Sequence, residues 1–191
     1  PADRITKRYA PIEFEKKEDG TIRIKFEEEI SGWLALKNIK AERGQTINIK
    51  YITESPGQGT NSYTAKGSGD ESYHARFTWF VFSEVEVTGI SNLTAAQVEA
   101  HAVNSDVETS GEFRTSNDLI NKINKIWQRS QLDNMHGAIA SDCPHRERSP
   151  YTGDGQVACV TVMHNFDAQT FYNKWLRDIR GSQTPGGYVP N

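Results

Sequence analysis

The sequence predicts an α+β, multidomain chain: an antiparallel β-sandwich followed by helices. Three observations carry that prediction. From Ile12 to about Val103, apolar and polar residues alternate at period two and are cut by turn residues. Beyond Ser110-Gly111 the apolar spacing becomes that of a helix. Between two helical stretches lies Ser141 to Gln156, SDCPHRERSPYTGDGQ, which fits neither period. The expected division is a β-sandwich over residues 1–111 and a helical domain over residues 112–191.

In the first part, Ile12 to Glu15 and Thr21 to Phe26 flank Asp19-Gly20, a hairpin turn in which glycine supplies positive φ. Further strands are expected at Trp33 to Ile39, Thr46 to Thr53, Glu71 to Phe77, Ser83 to Val87 and Ala96 to Val103, with Ile47, Ile49 and Tyr51 on one face. A Gly-, Ser- and Thr-rich connection runs from Ser55 to Gly69. Seven or eight short strands make a sandwich. The run Phe77-Thr78-Trp79-Phe80-Val81-Phe82 offers ring faces to a sugar, but alternating aromatics on a strand more often fill a sandwich core.

In the second part, Ser116 or Asn117 caps a helix on which Leu119, Ile120, Ile123, Ile126 and Trp127 recur at helical spacing, ending before Gly137. This reads as a core-facing amphipathic helix. After Gly153 a second helical pattern runs through Val157, Val162, Phe166, Phe171, Trp175 and Ile179 to a stop at Gly181. It is apolar on more than one side and is expected to be buried. Gln183 to Asn191 reads as loop. Two helices with long apolar faces and no third partner are expected to be an incomplete domain.

The 191 residues are 36% hydrophobic and 10% aromatic, enough for real cores. A formal charge of −3, with Lys and Arg scattered, supplies no basic field for nucleic acid or anionic lipid. No apolar run approaches the ~20 residues of a membrane span, and PADRITKRYA has no apolar signal core. No compartment is legible. Cys143 and Cys159 are expected to be two buried free thiols. His74, His101, His136 and His164 show no metal-ligand spacing, so neither a catalytic metal nor another cofactor is predicted.

The polar run carries the chemistry. It interleaves Asp142, Glu147 and Asp154 with His145, Arg146 and Arg148, and stiffens them with Pro144 and Pro150. Acids among guanidiniums suit a site where some carboxylates stay ionised by pairing while another is held protonated to donate a proton, as in a glycosidase. From the residues alone, Glu147 is either such an acid or the ion-pair partner of Arg146 or Arg148. Asp154, beside two glycines at a helix start, is by position a plausible N-cap.

Asp142-Cys143-Pro144-His145-Arg146-Glu147-Arg148, followed by Thr152-Gly153-Asp154, resembles the signature of the bacterial α-L-rhamnosidases, an inverting glycoside hydrolase family. The strand Arg76 to Phe82 resembles the family's R-F-T-Y-x-G-F-like strand, with Val81 in place of the glycine. Where the family usually carries Leu-Gly-Trp, this chain has Ser149-Pro150-Tyr151, which leaves the exact sugar open. The resemblance implies a β-sandwich followed by the first helix pair of an (α/α)6 toroid. It implies that Glu147 is the general acid and that Asp142 and Asp154 contact sugar hydroxyls. Arg146 would orient Glu147 or contact sugar, Tyr151 would line the pocket, and His145 would be a supporting donor. The partner is then a rhamnosylated glycoside or polysaccharide. The general base would come from a later part of the toroid, so the 191 residues alone are expected not to turn over substrate and to self-associate through open helix faces. The alternatives are a non-catalytic carbohydrate-binding or interaction module, or a glycosidase acting on another deoxy-sugar.

Overall fold

A computed structural model describes residues 1–53 and 59–189. Ser55 to Gln58 of the expected connection, and Pro190 and Asn191 of the terminal loop, lie outside the described residues. The chain divides into two compact units, residues 5–103 and residues 104–191 together with residues 1–4.

In the first unit one strand, β3 (Ile22–Ile39), is 18 residues long and lies at the centre of a single eight-stranded sheet. Its first half pairs with β2 (Glu13–Lys16) and β7 (Phe80–Thr88), with Ile22 opposite Lys16 and Val87. Its second half pairs with β6 (Glu71–His74) and β8 (Val98–Ser105), with Ala35 opposite His74 and Glu99. Between Lys25 and Ile30 the register shifts, the irregularity at which such a strand bends. β4 (Thr46–Ile52) and β5 (Thr60–Thr64) extend the sheet beyond β7, and β1 (Asp3–Tyr9) adds to β8. All these ladders for which a register is given are antiparallel. The strands expected separately at Thr21 to Phe26 and Trp33 to Ile39 are therefore one. The segment between them, Glu27 to Gly32, contains Ser31 and Gly32 but stays extended, because Ser31 and Gly32 pair with Val81 and Phe80 of β7 and Gly32 also with Ala102 of β8. Strands β1 and β5 were hidden from the period-two reading, because their outward faces are polar throughout and few of their residues are buried.

The core is built from the inward residues of this one sheet. Ile22, Ile24, Leu34 and Leu36 of β3 meet Ile47, Ile49 and Tyr51 of β4 and Phe82, Val85 and Val87 of β7, all buried. Tyr51 stacks on Phe80 at 3.9 Å between centroids, and Phe26 meets Phe82 edge-on at 6.0 Å. The aromatic run thus fills the core from Phe80 onward. The strand expected from Arg76 begins only there, because Phe77 sits at φ 61°, which breaks the extended backbone and leaves its ring in solvent. A buried acid pins the turn before β6. Glu71 accepts the Tyr63 hydroxyl and the N–H groups of Lys66, Gly67 and Ser68, and those bonds, the hydroxyl's first, hold its carboxyl down at about 2.

In the second unit, α1 (Asp118–Asp133) starts at Asn117, whose side-chain oxygen accepts from the N–H of Leu119 at 2.9 Å and of Ile120 at 3.4 Å. It stops four residues before Gly137 because a small hairpin, β9 (Met135–His136) and β10 (Ile139–Ala140), takes over the chain. Gly137 and Ala138 turn it with φ 61° and 55°, the two positive angles of a tight hairpin. Asp3 fastens the hairpin: its carboxylate accepts from Gly137 N–H at 2.8 Å and Ser105 Oγ at 3.0 Å.

The second helical pattern is two helices rather than one, α2 (Thr152–Asn165) and α3 (Gln169–Ser182), with Gly181 inside the last turn instead of ending it. The break falls where residues 108–111 lie alongside the chain. Ser110 N–H donates to Asn165 C=O at 3.0 Å and Asp167 N–H to Glu108 C=O at 2.8 Å, drawing Phe166 into extended backbone. Met135, Val162, Phe166, Phe171 and Trp175 form the buried cluster, with Trp127 and Leu132 of α1 packed against it. The face of α1 expected in a core is instead exposed at Leu119, Ile120, Ile123 and Ile126, and so are Val157, Val160 and Met163 of α2. The described residues place nothing over them. Cys143 and Cys159 are free thiols but half-buried rather than buried, because the loop and α2 both lie at the surface.

Candidate active site

Ser141 leaves the hairpin by donating its N–H to Asn134 C=O at 2.8 Å and its hydroxyl to Asn134 Oδ1 at 2.9 Å. The next eight residues form a loop closed on itself. Asp142 N–H donates to Ser149 C=O at 3.0 Å, Ser149 N–H returns to Asp142 Oδ1 at 3.0 Å, and Arg148 N–H reaches Cys143 C=O at 3.2 Å. Arg148 sits at φ 54° and gives its Nε–H to Pro144 C=O at 3.0 Å, so its guanidinium supports the turn from within. Burial pushes that guanidinium's proton affinity down.

At the tip, Glu147 is exposed and Cys143 lies beside it. The Cys143 thiol donates to Glu147 Oε2 at 2.8 Å and approaches Asp142 Oδ2 at 3.4 Å. Arg146 Nε is 3.8 Å from the same Glu147 oxygen, with both side chains about half in solvent, a geometry worth little by itself. The thiol bond first, with help from Arg146, holds the Glu147 carboxyl below its usual range. For Asp142, loss of solvent pushes the carboxyl up, but the N–H groups of Cys143 and Ser149 outweigh it and keep the group low. Asp142, Cys143 and Glu147 each bring one ligand-type atom within 4.8 Å of the others, a clustering that exposed acidic groups commonly show without an ion.

Tyr151 stands at the start of α2 as its N-cap residue, 41% exposed, without a side-chain cap bond. Asp154 does not cap the helix as its position suggested. The helix already begins at Thr152, which puts Asp154 in the first turn, where its charge complements the helix dipole. Gly155 is buried, and a Cβ there would stand 2.0 Å from the Trp175 indole. The absence of a side chain is what lets that ring seat under the first turn of α2. Asp142 and Asp154 line one cleft of about 480 Å³, together with Asn134, Ser141, Gln156 and Val157. The fold therefore gathers Asp142 with Asp154, and Glu147 with Asp142 and Arg146. Cys143 is the residue whose place the sequence did not suggest. Its four-residue spacing from Glu147 within a turn was the available signal.

An antiparallel β domain thus leads into helices, with a polar loop of acids at the first helix-to-helix passage. Residues 108–191 match the model described as the bacterial alpha-L-rhamnosidase six-hairpin glycosidase domain. An α-L-rhamnosidase of Formosa agariphila is 33% identical over 97% of this chain and 21% of its own length. The structure of the α-L-rhamnosidase from Dictyoglumus thermophilum superposes with a TM-score of 0.91 at 35% identity, over 99% of this chain and 23% of that one. The crystal structure of Streptomyces avermitilis α-L-rhamnosidase, complexed with L-rhamnose, gives 0.87 at 26% identity, over 98% and 19%. The chain belongs to the bacterial α-L-rhamnosidase family and spans about a fifth of the length of the Formosa relative.

Proposed function

We propose that the enzyme to which this chain contributes hydrolyses terminal α-L-rhamnosides with inversion, and that Glu147 is its general acid. The observation that carries the reading is Glu147 at the open tip of a loop rigidified by reciprocal Asp142–Ser149 bonds, in a chain similar to a rhamnosidase that holds L-rhamnose. Glu147 gives its proton to the glycosidic oxygen as the bond to the anomeric carbon breaks. Water attacks the opposite face and loses its proton to a base. Inversion needs the two carboxyls about 6.5–9.5 Å apart. Asp142, within 4.8 Å of Glu147 and engaged by Ser149 N–H, is on the wrong side of that window. Asp142 is therefore not the base, and we assign that role to a part of the enzyme outside these residues. Asp142, Asp154, Arg146 and Tyr151 are the groups offered to the sugar.

An acid must be protonated when substrate arrives, whereas Glu147 is exposed and held low in this chain. Covering the loop with sugar and with further helices removes water from the carboxyl and raises it. The chain by itself lacks the base, and its open apolar faces at Leu119, Ile123 and Ile126 favour self-association over turnover. In the whole enzyme, Glu147→Gln lowers kcat/KM by about 10²–10⁴ on rhamnosides with poor leaving groups and far less on activated aryl rhamnosides. An equal loss on both would make Glu147 a loop residue. Early-time NMR of the released sugar reads inversion directly.

A further inference from the structure

We propose that Cys143 is a positioning residue for Glu147, its thiol fixing which carboxyl oxygen carries the acidic proton. The proposal rests on Glu147 being the acid. The thiol donates to Oε2 at 2.8 Å, so a proton arriving on the carboxyl is placed on Oε1, the oxygen that bond leaves open. Cys143 is itself fixed: its C=O accepts Arg148 N–H at 3.2 Å, and its sulfur lies 3.4 Å from Asp142 Oδ2, on the residue that closes the loop. When Oε1 releases its proton to the leaving oxygen, the electron pair stays on Glu147. The thiol keeps its own proton and becomes a charge-assisted donor to the new carboxylate. The bond is thus stronger after proton transfer than before, which is the direction that favours the transition state. The other charged groups acting on Glu147 are Arg146, which favours the carboxylate, and Asp142, which opposes it.

The test uses the whole enzyme carrying Cys143→Ala and Cys143→Ser. Alanine removes the donor, and serine restores one of similar reach. Cys143→Ala is expected to lower kcat on a poor leaving group roughly tenfold or more, the scale of a hydrogen bond to a charged group. It also moves the alkaline limb of kcat/KM to higher pH, because the group holding Glu147 low is gone. Cys143→Ser recovers most of both. A Cys143→Ala enzyme with an unmoved limb, or a serine variant as impaired as the alanine one, overturns the proposal. A readout independent of turnover keeps the two readings apart: the S–H stretching band in the infrared difference between wild type and Cys143→Ser. It is expected at the low frequency of a bonded thiol and to rise in Glu147→Gln. An S–H band that Glu147→Gln does not move sinks the thiol contact while leaving the acid standing, whereas Glu147→Gln with full activity on poor leaving groups sinks the acid even if the band moves.

Discussion

The β unit of residues 5–103 and the helical unit of residues 104–191 face the same requirement, burial of apolar surface, and meet it to different degrees. In the β unit the inward residues of β3, β4 and β7 are nearly all at or near zero exposure, and among its described residues the large hydrophobics left in solvent are Ile12 and Phe77. In the helical unit the cluster around Phe166, Phe171 and Trp175 is as well buried, yet Ile126 is 65% and Val157 85% exposed. A curled sheet closes its core with its own strands. Helices arranged as hairpins bury one stripe each and leave the opposite stripe for the next hairpin. The loop with Glu147 therefore stands on the less finished of the two units. Its shape is held by local bonds, Asp142 to Ser149 and Arg148 to Pro144, and not by a surrounding core.

The largest effect that tests this difference is a cavity in the sheet. Ile49 is fully buried in the core of the sheet, so Ile49→Ala should cost about 2–5 kcal/mol, transfer plus cavity. Hydrogen exchange on this chain reads it by region: amides of β3, β4 and β7 should lose protection in the variant, while those of α1 to α3 change little. In the unsubstituted chain, residues 12–103 should exchange orders of magnitude more slowly than residues 116–180. Equal protection in both units would break the comparison.

A smaller effect, confined to acid, belongs to Glu71. Its carboxyl is lowered from about 4.5 to about 2, so the stability it contributes is present above the unfolded value and disappears as pH falls from about 4.5 towards 2. Glu71→Gln should therefore be destabilised relative to wild type at pH 6, with the gap in urea midpoint closing as pH approaches 2. A gap independent of pH would mean that the Glu71 carboxyl is not lowered on folding, so that the loss in Glu71→Gln has a source other than the ionised group.

How much was legible beforehand follows from what each element depends on. The Asp19-Gly20 hairpin, the buried face of Ile47, Ile49 and Tyr51, and the Asn117 cap rest on local sequence, and they stand where their residue pattern put them. The fusion of two expected strands into β3, and the split at Phe166 of one expected helix, come from pairing with distant segments, β8 in one case and residues 108–111 in the other. Period alone holds no such information. The face of α1 departs from its expected burial for a related reason: its amphipathic pattern records that a partner is needed and not where that partner lies. In the loop, the motif put Asp142, Glu147 and Asp154 in one run. That Asp142 would close the loop and that Cys143 would reach Glu147 depended on the turn at Arg148, whose positive φ no residue type there announces.

The smallest expected effect probes the helical side of the comparison. Ile126 resembles Ile49 in composition and in pattern, since both recur on an apolar face. Were the face of α1 covered, Ile126→Ala would cost the same few kcal/mol; because the side chain is 65% exposed, the change in this chain should fall within about 0.5 kcal/mol. It should nevertheless register in sedimentation, where removing an exposed apolar side chain from the stripe of Leu119, Ile123 and Ile126 lowers self-association. If the proposed function holds and further helices of the whole enzyme cover α1, the same substitution should be costly there. The ratio of the two losses then measures how much of the stripe the rest of the enzyme buries. A large loss in the 191-residue chain itself would show that α1 is already packed there, and the contrast between the self-sufficient sheet and the dependent helices would fail at the helix chosen to represent it.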